Sequence, residues 1–449
     1  MSATAARRAA HAALQAVARG ALADRAFAAA LAEHQVPTRD RRWTQELVYG
    51  TLRLRGRLDA LLERVVRGGL ERVDAPILEV LRLGAYQLLE MRSVPPHAAV
   101  SQAVELAREV GGEGAARFTN GVLRALVRGG AETDFPREPV ARLSSWGSHP
   151  RWLVERWVER WGADVAERLV EANNTRPELY LRPVGMSAAA AVAALEAAGI
   201  AAQPVAFAPD AVRLTGSATP AEALAVVPAL VQDPAAGLVV RYAAPPAGAL
   251  VVDLCAAPGG KAVGLADALA TVGGGGAVVA GDSSAERMVR LRENLVRLGG
   301  ALRVLPVVAD GRRPPLRTAD VVLVDAPCTG TGTFRRHPDG RWRLRPGDLE
   351  TLGRLQGGLL EAAAALVRPG GLLVYATCSL EPEENEARVA ALLARRPELT
   401  LEPAPAEMAP GLVDDAGFLR VEPWRQGVDG AFAARLRRRP DRDNPDAGR

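Results

Sequence analysis

Hydrophobic residues in the first third of the chain recur at helical spacing. Between 77 and 91 they fall on one face of a helix with about 3.6 residues per turn, at Ile77, Val80, Leu81, Leu88 and Leu89. Comparable patterns run through 43–66, 98–110 and 118–127. These patterns predict a helical bundle over residues 1–135.

The pattern changes further along the chain. Strand-like runs near Leu179–Leu181 and Val212–Leu214 are separated by alanine-rich helical stretches, which predicts a linker helix and a small α/β module over residues 145–245. From Ala249 onward strand-like and helical runs alternate, and the predicted strands are Leu250–Leu254, Ala277–Gly281, Arg303–Val308, Val321–Val324 and Leu372–Tyr375. This alternation is typical of a doubly wound parallel sheet.

The expected fold class is therefore multidomain. An all-α bundle and the small α/β module are followed by a C-terminal Rossmann-like α/β domain over residues 246–437. The end of the chain is rich in Arg, Pro and Asp from Arg435, and this predicts a disordered tail, counted as 438–449 in the division into domains.

Two basic stretches precede the predicted sheet. Arg53, Arg55 and Arg57 form one, which is more often a solvated face than an RNA contact. The other interleaves aromatic and basic residues, namely Trp146, Trp152, Trp157 and Trp161 with Arg151, Arg156 and Arg160. These side chains could hold single-stranded RNA, or two of the tryptophans, four residues apart, could simply dock a connecting helix.

Composition narrows the functional classes. Hydrophobic residues make up 48% and charged residues 24%, the balance of a soluble globular protein. The net charge is only +4, yet Lys261 is the one lysine among 56 Lys and Arg residues. The excess of arginine suits phosphate contacts, although a biased genome explains it more simply. A single lysine beside two glycines indicates a position where an ammonium group is needed.

The three cysteines are Cys255, Cys328 and Cys378, without any C-x-x-C or Cys/His pair of metal-ligand spacing. We therefore expect no metal site and no disulfide framework, which favours a reducing, cytoplasmic location. No run of about 18 strongly apolar residues occurs, so we expect no membrane span.

Reactive or acidic residues follow every predicted strand of the C-terminal sheet. They are Asp253 and Cys255, then Asp282, then Asp310, then Asp325 and Cys328, and finally Cys378. Doubly wound sheets bind ligands at the carboxyl ends of their strands, which is where all three cysteines fall. Cysteines with only packing roles would also occur in the first 250 residues, which contain none. The clustering indicates a functional site.

The loop Ala256, Ala257, Pro258, Gly259, Gly260 and Lys261 follows a strand and opens a helix. Its glycines let a ligand approach backbone N–H groups at the positive end of the helix, and Asp282 is placed to accept hydrogen bonds from a ribose diol. Neither G-x-G-x-x-G nor the P-loop spacing is present, so an adenosine ligand smaller than a dinucleotide fits best. A nicotinamide oxidoreductase, which would offer the same acidic residue, is the weaker alternative.

Three stretches together are more specific than any of them alone. DLCAAPGGK at 253–261, DAPCTGTGTFRRHPD at 325–339 and YATCSLEPEENE at 375–386 resemble the motifs of bacterial 16S ribosomal RNA cytosine-C5 methyltransferases of the Sun/Fmu (RsmB) type. Stretches at 46–59, 81–91, 95–107 and 118–126 resemble that family's NusB-like RNA-binding domain, and so favour this subgroup over relatives that act on transfer RNA. Two positions depart from the pattern: Thr329 replaces a frequent serine, and 429–433 replaces a run of paired phenylalanines.

The resemblance implies a catalytic group of Cys378, Cys328, Asp325 and Lys261. A thiolate that adds to C6 of cytosine activates C5 for methylation, and the family assigns attack to Cys378 and help in release to Cys328. The residues alone do not rank the two, because DNA cytosine methyltransferases use a Pro-Cys pair resembling Pro327 and Cys328. Lys261, or Arg335 and Arg336, could favour the thiolate electrostatically.

The resemblance also implies S-adenosylmethionine as the cofactor. Its expected contacts are Cys255, Ala256, Ala257, Pro258, Gly259, Gly260, Lys261, Asp282, Arg287, Asp310 and Asp325, with Asp310 at the adenine. For Cys255 a packing role under the loop is preferred. His337 is expected to be a loop residue near RNA, and Glu383 and Glu384 are expected in the first turn of the next helix, where acids suit the helix dipole.

The expected partner is RNA with a single-stranded or flipped cytidine, bound by a monomer without metal. Two alternatives stay open at this point: a methyltransferase for transfer RNA, and a non-catalytic RNA-binding assembly factor with a retired methyltransferase domain. The presence of both cysteines, Asp325 and Lys261 argues against the second alternative.

Overall fold

The computed structural model describes residues 3–129, 135–300 and 302–441. Residues 1–175 and 334–344 form one unit, here called the helical unit, and residues 176–333 and 345–449 form the other, the sheet unit. Most of the predicted tail, from residue 442 onward, lies outside the described residues. The domain boundaries inferred from the sequence stay a prediction.

The helical unit confirms the predicted bundle. It contains α1 (Ala5–Ala18), α2 (Ala23–Glu33), α3 (Thr38–Arg53), α4 (Arg55–Glu63), α5 (Ala75–Leu89), α6 (Pro96–Gly129), α7 (Pro139–Ser145), α8 (Arg151–Trp161) and α9 (Ala163–Asn174), with a 3-10 turn at Leu70–Arg72. The apolar stripes meet in one core that includes Leu47, Leu58, Leu81 and Leu123. Helix α6 changes direction at Gly112, whose φ of 76° favours glycine.

The arginine cluster at 53–57 is not a solvated face, and that expectation was wrong. Arg53 is buried, and Arg55 lies over the Trp342 ring at 5.5 Å. Arg57 stacks on the Trp146 ring at 3.8 Å and donates to the Trp146 carbonyl at 3.0 Å. Burial lowers the pKa of both Arg55 and Arg57. The cluster therefore holds the helical unit together.

The tryptophan-rich stretch packs rather than presenting all its rings to solvent. Trp157 is 1% exposed and its ring lies 5.5 Å from the His149 ring and 6.4 Å from that of Phe334. This favours the docking interpretation for Trp157. Trp146 is 38% exposed, but one face of its ring is covered by Arg57.

The segment 334–344 is held in the helical unit by a buried arginine. Arg341 is fully buried and makes no ion pair with any described residue. Its guanidinium instead donates to neutral oxygens, which are the carbonyls of Arg53, Ser148, Asn173 and Phe334 and the side-chain oxygen of Asn174, at 2.8–3.4 Å. Burial lowers the pKa of Arg341 well below its usual value.

A small antiparallel sheet opens the sheet unit. Its strands are β1 (Leu179–Pro183), β2 (Ala202–Val205), β3 (Ala208–Leu214) and β4 (Ala229–Val231), in the order β2-β3-β1-β4. Helices α10 (Ala188–Ala197) and α11 (Pro220–Val226) cover one face through residues such as Leu181, Leu195 and Val212. The other face, including Tyr180 and Leu230, joins the core of the large sheet. This arrangement agrees with the predicted α/β module.

The large sheet contains β5 (Leu250–Asp253), β6 (Ala277–Asp282), β7 (Val304–Val308), β8 (Ala319–Asp325), β9 (Val367–Thr377), β10 (Leu399–Leu401), β11 (Leu419–Val421) and β12 (Ala431–Arg438). The helices that accompany it are α12 (Pro234–Ala243), α13 (Gly260–Val272), α14 (Ala285–Arg297), α16 (Pro346–Leu366), α17 (Glu386–Arg395) and α18 (Pro423–Gln426). A 3-10 turn lies at Thr331–Thr333. Helix α15 (Gly340–Arg343) belongs to the helical unit. Strands β5 to β9 pair in parallel in the order β7-β6-β5-β8-β9.

The alternation of side chains along the parallel strands builds two cores. Val251, Val278 and Leu323 point to one face, and Val252, Val279 and Val322 point to the other. The strand order reverses between β5 and β8, and such a switch point leaves a crevice at the carboxyl ends of the strands. The predicted Rossmann-like class is confirmed.

The edge of the large sheet differs from the prediction. Strands β10, β11 and β12 are antiparallel additions, and β12 pairs with β9 along its length. The disorder expected from Arg435 was wrong as far as Arg438, because Arg435 is buried and donates to the carbonyls of Tyr242 and Ala243 at 2.8 Å. Within the described residues, no helix combines the length and apolar character that a membrane crossing needs.

Candidate active site

The loop between β5 and α13 is shaped by close packing at its glycines. Gly259 has a φ of 107°, and a Cβ there would lie 2.2 Å from the Leu291 side chain. A Cβ on Gly260 would lie 2.5 Å from the Gln232 amide nitrogen. The amide of Ala256 donates to the Gly281 carbonyl at 2.8 Å, which ties the loop to β6. Backbone N–H groups at the start of α13 are thus presented beside the switch point.

Asp282 and Arg287 meet this loop. The Asp282 carboxylate is 3% exposed and accepts from the amides of Ala257 at 3.1 Å and Ser284 at 2.9 Å. Arg287 donates to the Ala257 carbonyl and lies 3.7 Å from the Asp282 carboxylate. Each Asp282 oxygen therefore keeps one lone pair for a ligand.

Asp253 lies buried beneath the same loop. One carboxylate oxygen accepts from the Cys255 amide at 3.2 Å, and the other has no hydrogen-bond partner. Burial, followed by the charge of Asp325, raises the pKa of Asp253 to about 7. Burial also raises the pKa of the Cys255 thiol, which packs against the core of the sheet. These surroundings keep Cys255 protonated and agree with a packing role.

Lys261 forms an ion pair across the switch point. Its Nζ lies 2.7 Å from Oδ2 of Asp325, which ends β8. Burial alone would lower the pKa of Lys261, but the Asp325 carboxylate outweighs it, and the net shift is upward. The charge of Cys378 adds to that upward shift. The single lysine of the chain is therefore a cation that interacts with the charge of Cys378.

Cys328 and Cys378 face each other at the ends of adjacent strands. Their sulfur atoms are 3.3 Å apart. The Ala326 amide donates to the Ala376 carbonyl at 2.8 Å and the Gly332 amide to the Cys378 carbonyl at 3.0 Å, so the two loops are joined on both sides of the thiols. The hydrogen bond with Cys378, together with burial, raises the pKa of Cys328 well above its usual value. A proton is therefore held on Cys328.

Glu384 has a different place from the one expected. Helix α17 begins at Glu386, and Glu384 lies before it with no exposed surface. Its carboxylate accepts from the amide and the hydroxyl of Thr329 and, at 2.9 Å, from the amide of Gln356. The expected contact with the helix dipole was wrong, because the loop after Cys328 folds back onto this carboxylate.

Other predicted residues belong to the loop after β7 or to the helical unit. Asp310 follows β7, which pairs with β6, and is partly exposed; it accepts hydrogen bonds from Arg312, and these lower the pKa of Asp310 to about 2. Arg335 and Arg336 belong to the helical unit, as does His337, which lies 3.8 Å from Asp24. Lys261 is therefore the one of the three candidate cations that the sheet unit itself supplies beside Cys378.

The stretch that departs from the family pattern near the end of the chain forms the start of β12. Phe432 is 1% exposed and packs against the rings of Tyr375 and Phe418, and the Gly430 amide donates to the Gly332 carbonyl at 2.7 Å. One phenylalanine and small neighbours thus fill the space below the loop that follows Cys328.

Comparisons with known proteins agree along the whole chain. A family model described as 16S rRNA methyltransferase RsmB/F matches residues 241–437. The NusB family matches 4–128, and a ferredoxin-like domain of RsmF/B-like methyltransferases matches 149–220.

Individual relatives are similar over most of their length. The chain is 33% identical to a protein of Synechocystis named "Probable ribosomal RNA small subunit methyltransferase B", covering 94% of this chain and 96% of that one. It is 35% identical to ribosomal RNA small subunit methyltransferase B of Klebsiella pneumoniae, covering 91% and 92%. The crystal structure titled PH0851 superposes with a TM-score of 0.79 at 28% identity, covering 96% and 98%.

Proposed function

This chain belongs to the RsmB/F family of 16S rRNA methyltransferases, and from that premise we propose that it methylates C5 of a cytidine in small-subunit ribosomal RNA through a covalent adduct with Cys378. RNA methylation that depends on S-adenosylmethionine follows from the family. The cytosine chemistry is supported above all by one observation, the two thiols 3.3 Å apart beside the Lys261–Asp325 pair.

The loop after β5 has the features that S-adenosylmethionine needs. Gly259 and Gly260 place the backbone of the loop at the start of α13, where helix N–H groups favour polar ligand groups, and the buried Asp253 has one carboxylate oxygen without a hydrogen-bond partner. In this proposal residues 255–261 and Arg287 shape the pocket, Asp282 accepts from the ribose diol, and Asp310 contacts the adenine. When bound there, S-adenosylmethionine supplies the activated methyl group.

Cys378 carries the attack on the base. C5 of cytosine is a weak nucleophile, and a thiolate that adds to C6 pushes an electron pair toward C5. The thiolate needs a nearby cation at neutral pH, and Lys261 is held close enough for the charges of the two groups to interact. The sulfur of Cys378 forms the new bond to C6, and C5 then takes the methyl group.

Asp325 holds the edge of the ring. Attack at C6 places charge on N3 and its neighbours, and a carboxyl group that shares a proton with N3 stabilises that charge. The Lys261 ammonium group donates to the Asp325 carboxylate at 2.7 Å. A cytosine edge can exchange with this ion pair because both side chains retain some exposure, 17% for Lys261 and 29% for Asp325.

Cys328 completes the reaction. After methyl transfer the proton on C5 must leave, so that the bond between C6 and sulfur can break and the Cys378 thiolate departs with its electron pair. The contact with Cys378 is the main reason that the pKa of Cys328 is raised. Once Cys378 is bonded to C6, that hydrogen bond is lost, so Cys328 can release its proton to solvent and its thiolate can then take the proton from C5.

The test is methyl transfer from labelled S-adenosylmethionine to unmodified small-subunit RNA, with transfer RNA as the comparison substrate. We expect Cys378→Ala to give neither product nor protein–RNA adduct, and Cys328→Ala to accumulate adduct. Transfer to transfer RNA alone would refute the proposed substrate, and an exchange of the two phenotypes would refute the choice of nucleophile. The helical unit is proposed to bind the RNA, so its removal should raise KM for RNA.

A further inference from the structure

A buried carboxylate lies behind the cysteine pair and has no role in the mechanism above. Glu384 is fully buried and forms no ion pair with the described residues. A buried carboxylate without a cation is costly unless hydrogen bonds compensate it. All of its side-chain hydrogen bonds come from two residues, Thr329 and Gln356.

These hydrogen bonds enclose Cys328 from both directions along the chain. On one side, the amide and hydroxyl of Thr329 both donate to the Glu384 carboxylate. On the other side, Gln356 donates from its side-chain amide to the Pro327 carbonyl and to Glu384, each at 2.9 Å. The residues before and after Cys328 are thus fixed to one buried group, while the Tyr375 hydroxyl holds the backbone of Glu384 at 2.5 Å.

Both oxygens of the Glu384 carboxylate accept hydrogen bonds. One Glu384 oxygen receives the Thr329 amide and Gln356, and the other receives the Thr329 hydroxyl. A glutamine at this position could keep its oxygen toward the Thr329 amide and Gln356 and turn its NH₂ group toward the Thr329 hydroxyl, which can also accept a hydrogen bond. Glu384→Gln therefore removes the charge of this group and can keep most of its hydrogen bonds.

That charge distinguishes the two thiols. Glu384 is one of the charges that disfavour a thiolate at Cys328, whereas Lys261 interacts favourably with charge on Cys378. Asp325 and the buried Tyr375 also lie near the pair, and the Arg388 cation interacts with Tyr375. Lys261 and Glu384 therefore act on the two thiols with opposite charges.

We propose that Glu384 is a positioning residue that fixes Cys328 against Cys378 and makes the two thiols unequal in reactivity, with Cys378 the more reactive. This inference rests on the proposed function for its biological meaning. Its evidence is independent of RNA, because it concerns the reactivity of two thiols in the free protein.

The test is alkylation of the full-length protein by iodoacetamide at pH 7.5, followed by peptide mass spectrometry of each cysteine. In the wild type we expect Cys378 to be alkylated about 10-fold faster than Cys328, because Lys261 favours negative charge on Cys378 and Glu384 disfavours it on Cys328. In Glu384→Gln the Cys328 rate should rise and the ratio should fall to about 2-fold or less. Thr329→Val, which keeps the charge and loses one hydrogen bond, should change the ratio less than Glu384→Gln does.

Thr329→Ser is the matched control, because it retains both donors to Glu384, and it should give the wild-type ratio. Thermal melting of each variant identifies any that fail to fold. If Glu384→Gln is folded and its alkylation ratio equals that of the wild type, the inference is wrong. If Glu384→Gln does not fold, a wild-type ratio in Thr329→Val would overturn it. Failure of methyl transfer to RNA would refute the proposed function and leave these ratios unaffected.

Discussion

Arg341 of the helical unit and Lys261 of the sheet unit are two cations held in opposite ways. Arg341 in the helical unit donates to five neutral oxygens and meets no carboxylate among the described residues. Lys261 in the sheet unit is held mainly by a single carboxylate, that of Asp325. The pKa of Arg341 is lowered by burial, whereas the pKa of Lys261 is raised by its partner despite burial.

The difference separates a structural cation from a reactive one. The planar fork of arginine can satisfy many backbone carbonyls at once, and such a set has no partner to release. A lysine ammonium is a point charge on a flexible stem, so its one carboxylate can exchange for a substrate edge. Arg341, the fixed cation, should therefore control the stability of its unit, and Lys261, the exchangeable cation, should control the rate of the reaction.

Replacing the reactive cation should have the largest effect. We expect Lys261→Met to lower kcat for methyl transfer about 1,000-fold or more, because the attacking thiol loses its cation and Asp325 loses its partner. The melting temperature should change by only a few degrees. Single-turnover transfer from labelled S-adenosylmethionine measures the first quantity and calorimetry the second.

Lys261→Arg is the control for charge alone. It keeps a cation but replaces the point charge by a wider fork, so it should recover part of the lost rate. A Lys261→Met variant that retained nearly full activity but melted far below the wild type would invert the comparison between the two cations.

Replacing the structural cation should cost stability. Arg341→Met leaves buried carbonyls of Ser148 and Asn173 without this donor, and we expect the helical unit to lose about 3 kcal/mol in free energy of unfolding. Hydrogen exchange measured peptide by peptide would place the loss in the helical unit. Arg341→Lys should recover less than half of it, because an ammonium cannot reach all five acceptors. Equal protection in wild type and Arg341→Met would contradict this prediction.

The sequence made one of these cations conspicuous and concealed the other. Lys261 is the only lysine and sits in a glycine loop after a strand, so rarity and position both indicated it. Arg341 is one arginine among many, and nothing in its neighbours predicts five oxygens from distant parts of the chain. The parallel strands could also be predicted from local pattern, because each is an apolar run followed by an acid or a cysteine.

Long-range contacts account for what the sequence did not show. The sequence of strand β12 predicts a charged end of the chain, yet Arg435 is buried and its guanidinium donates to two carbonyls at the end of α12. Glu384 reads as an acid before a helix, yet Thr329 and Gln356 come to it from elsewhere in the fold. In both cases a charged residue is buried by partners that lie far away in sequence. The stretch at 375–386 contains both Cys378 and Glu384, and it could at most have suggested that Glu384 has a role near the cysteine.

Asp253 adds a pH dependence to the surroundings of Lys261. The pKa of Asp253 is raised to about 7 in the folded protein, whereas its pKa in an unfolded chain would be about 4. Between these values the folded state binds more protons, so the wild type should lose stability as pH rises from 4 to 7. Asp253→Asn removes this titration and should gain about 2 kcal/mol relative to the wild type between pH 5 and pH 8. Urea unfolding at several pH values measures the difference, and a pH-independent difference would show that Asp253 is ionised throughout.

Arg57 is an intermediate case and should show the smallest effect. Its guanidinium stacks on the Trp146 ring and forms an ion pair with Glu90 at 3.4 Å, and its side chain is 17% exposed. A lysine would keep the charge and the ion pair but lose the planar stack, so Arg57→Lys should cost about 0.5–1 kcal/mol of the helical unit's stability and leave kcat unchanged. Paired urea titrations of wild type and variant can resolve such a difference. If Arg57→Lys cost as much stability as Arg341→Met, stacking on one exposed ring would hold a cation as firmly as five buried oxygens do. Packing, rather than the number of acceptors, would then distinguish a fixed cation from an exchangeable one.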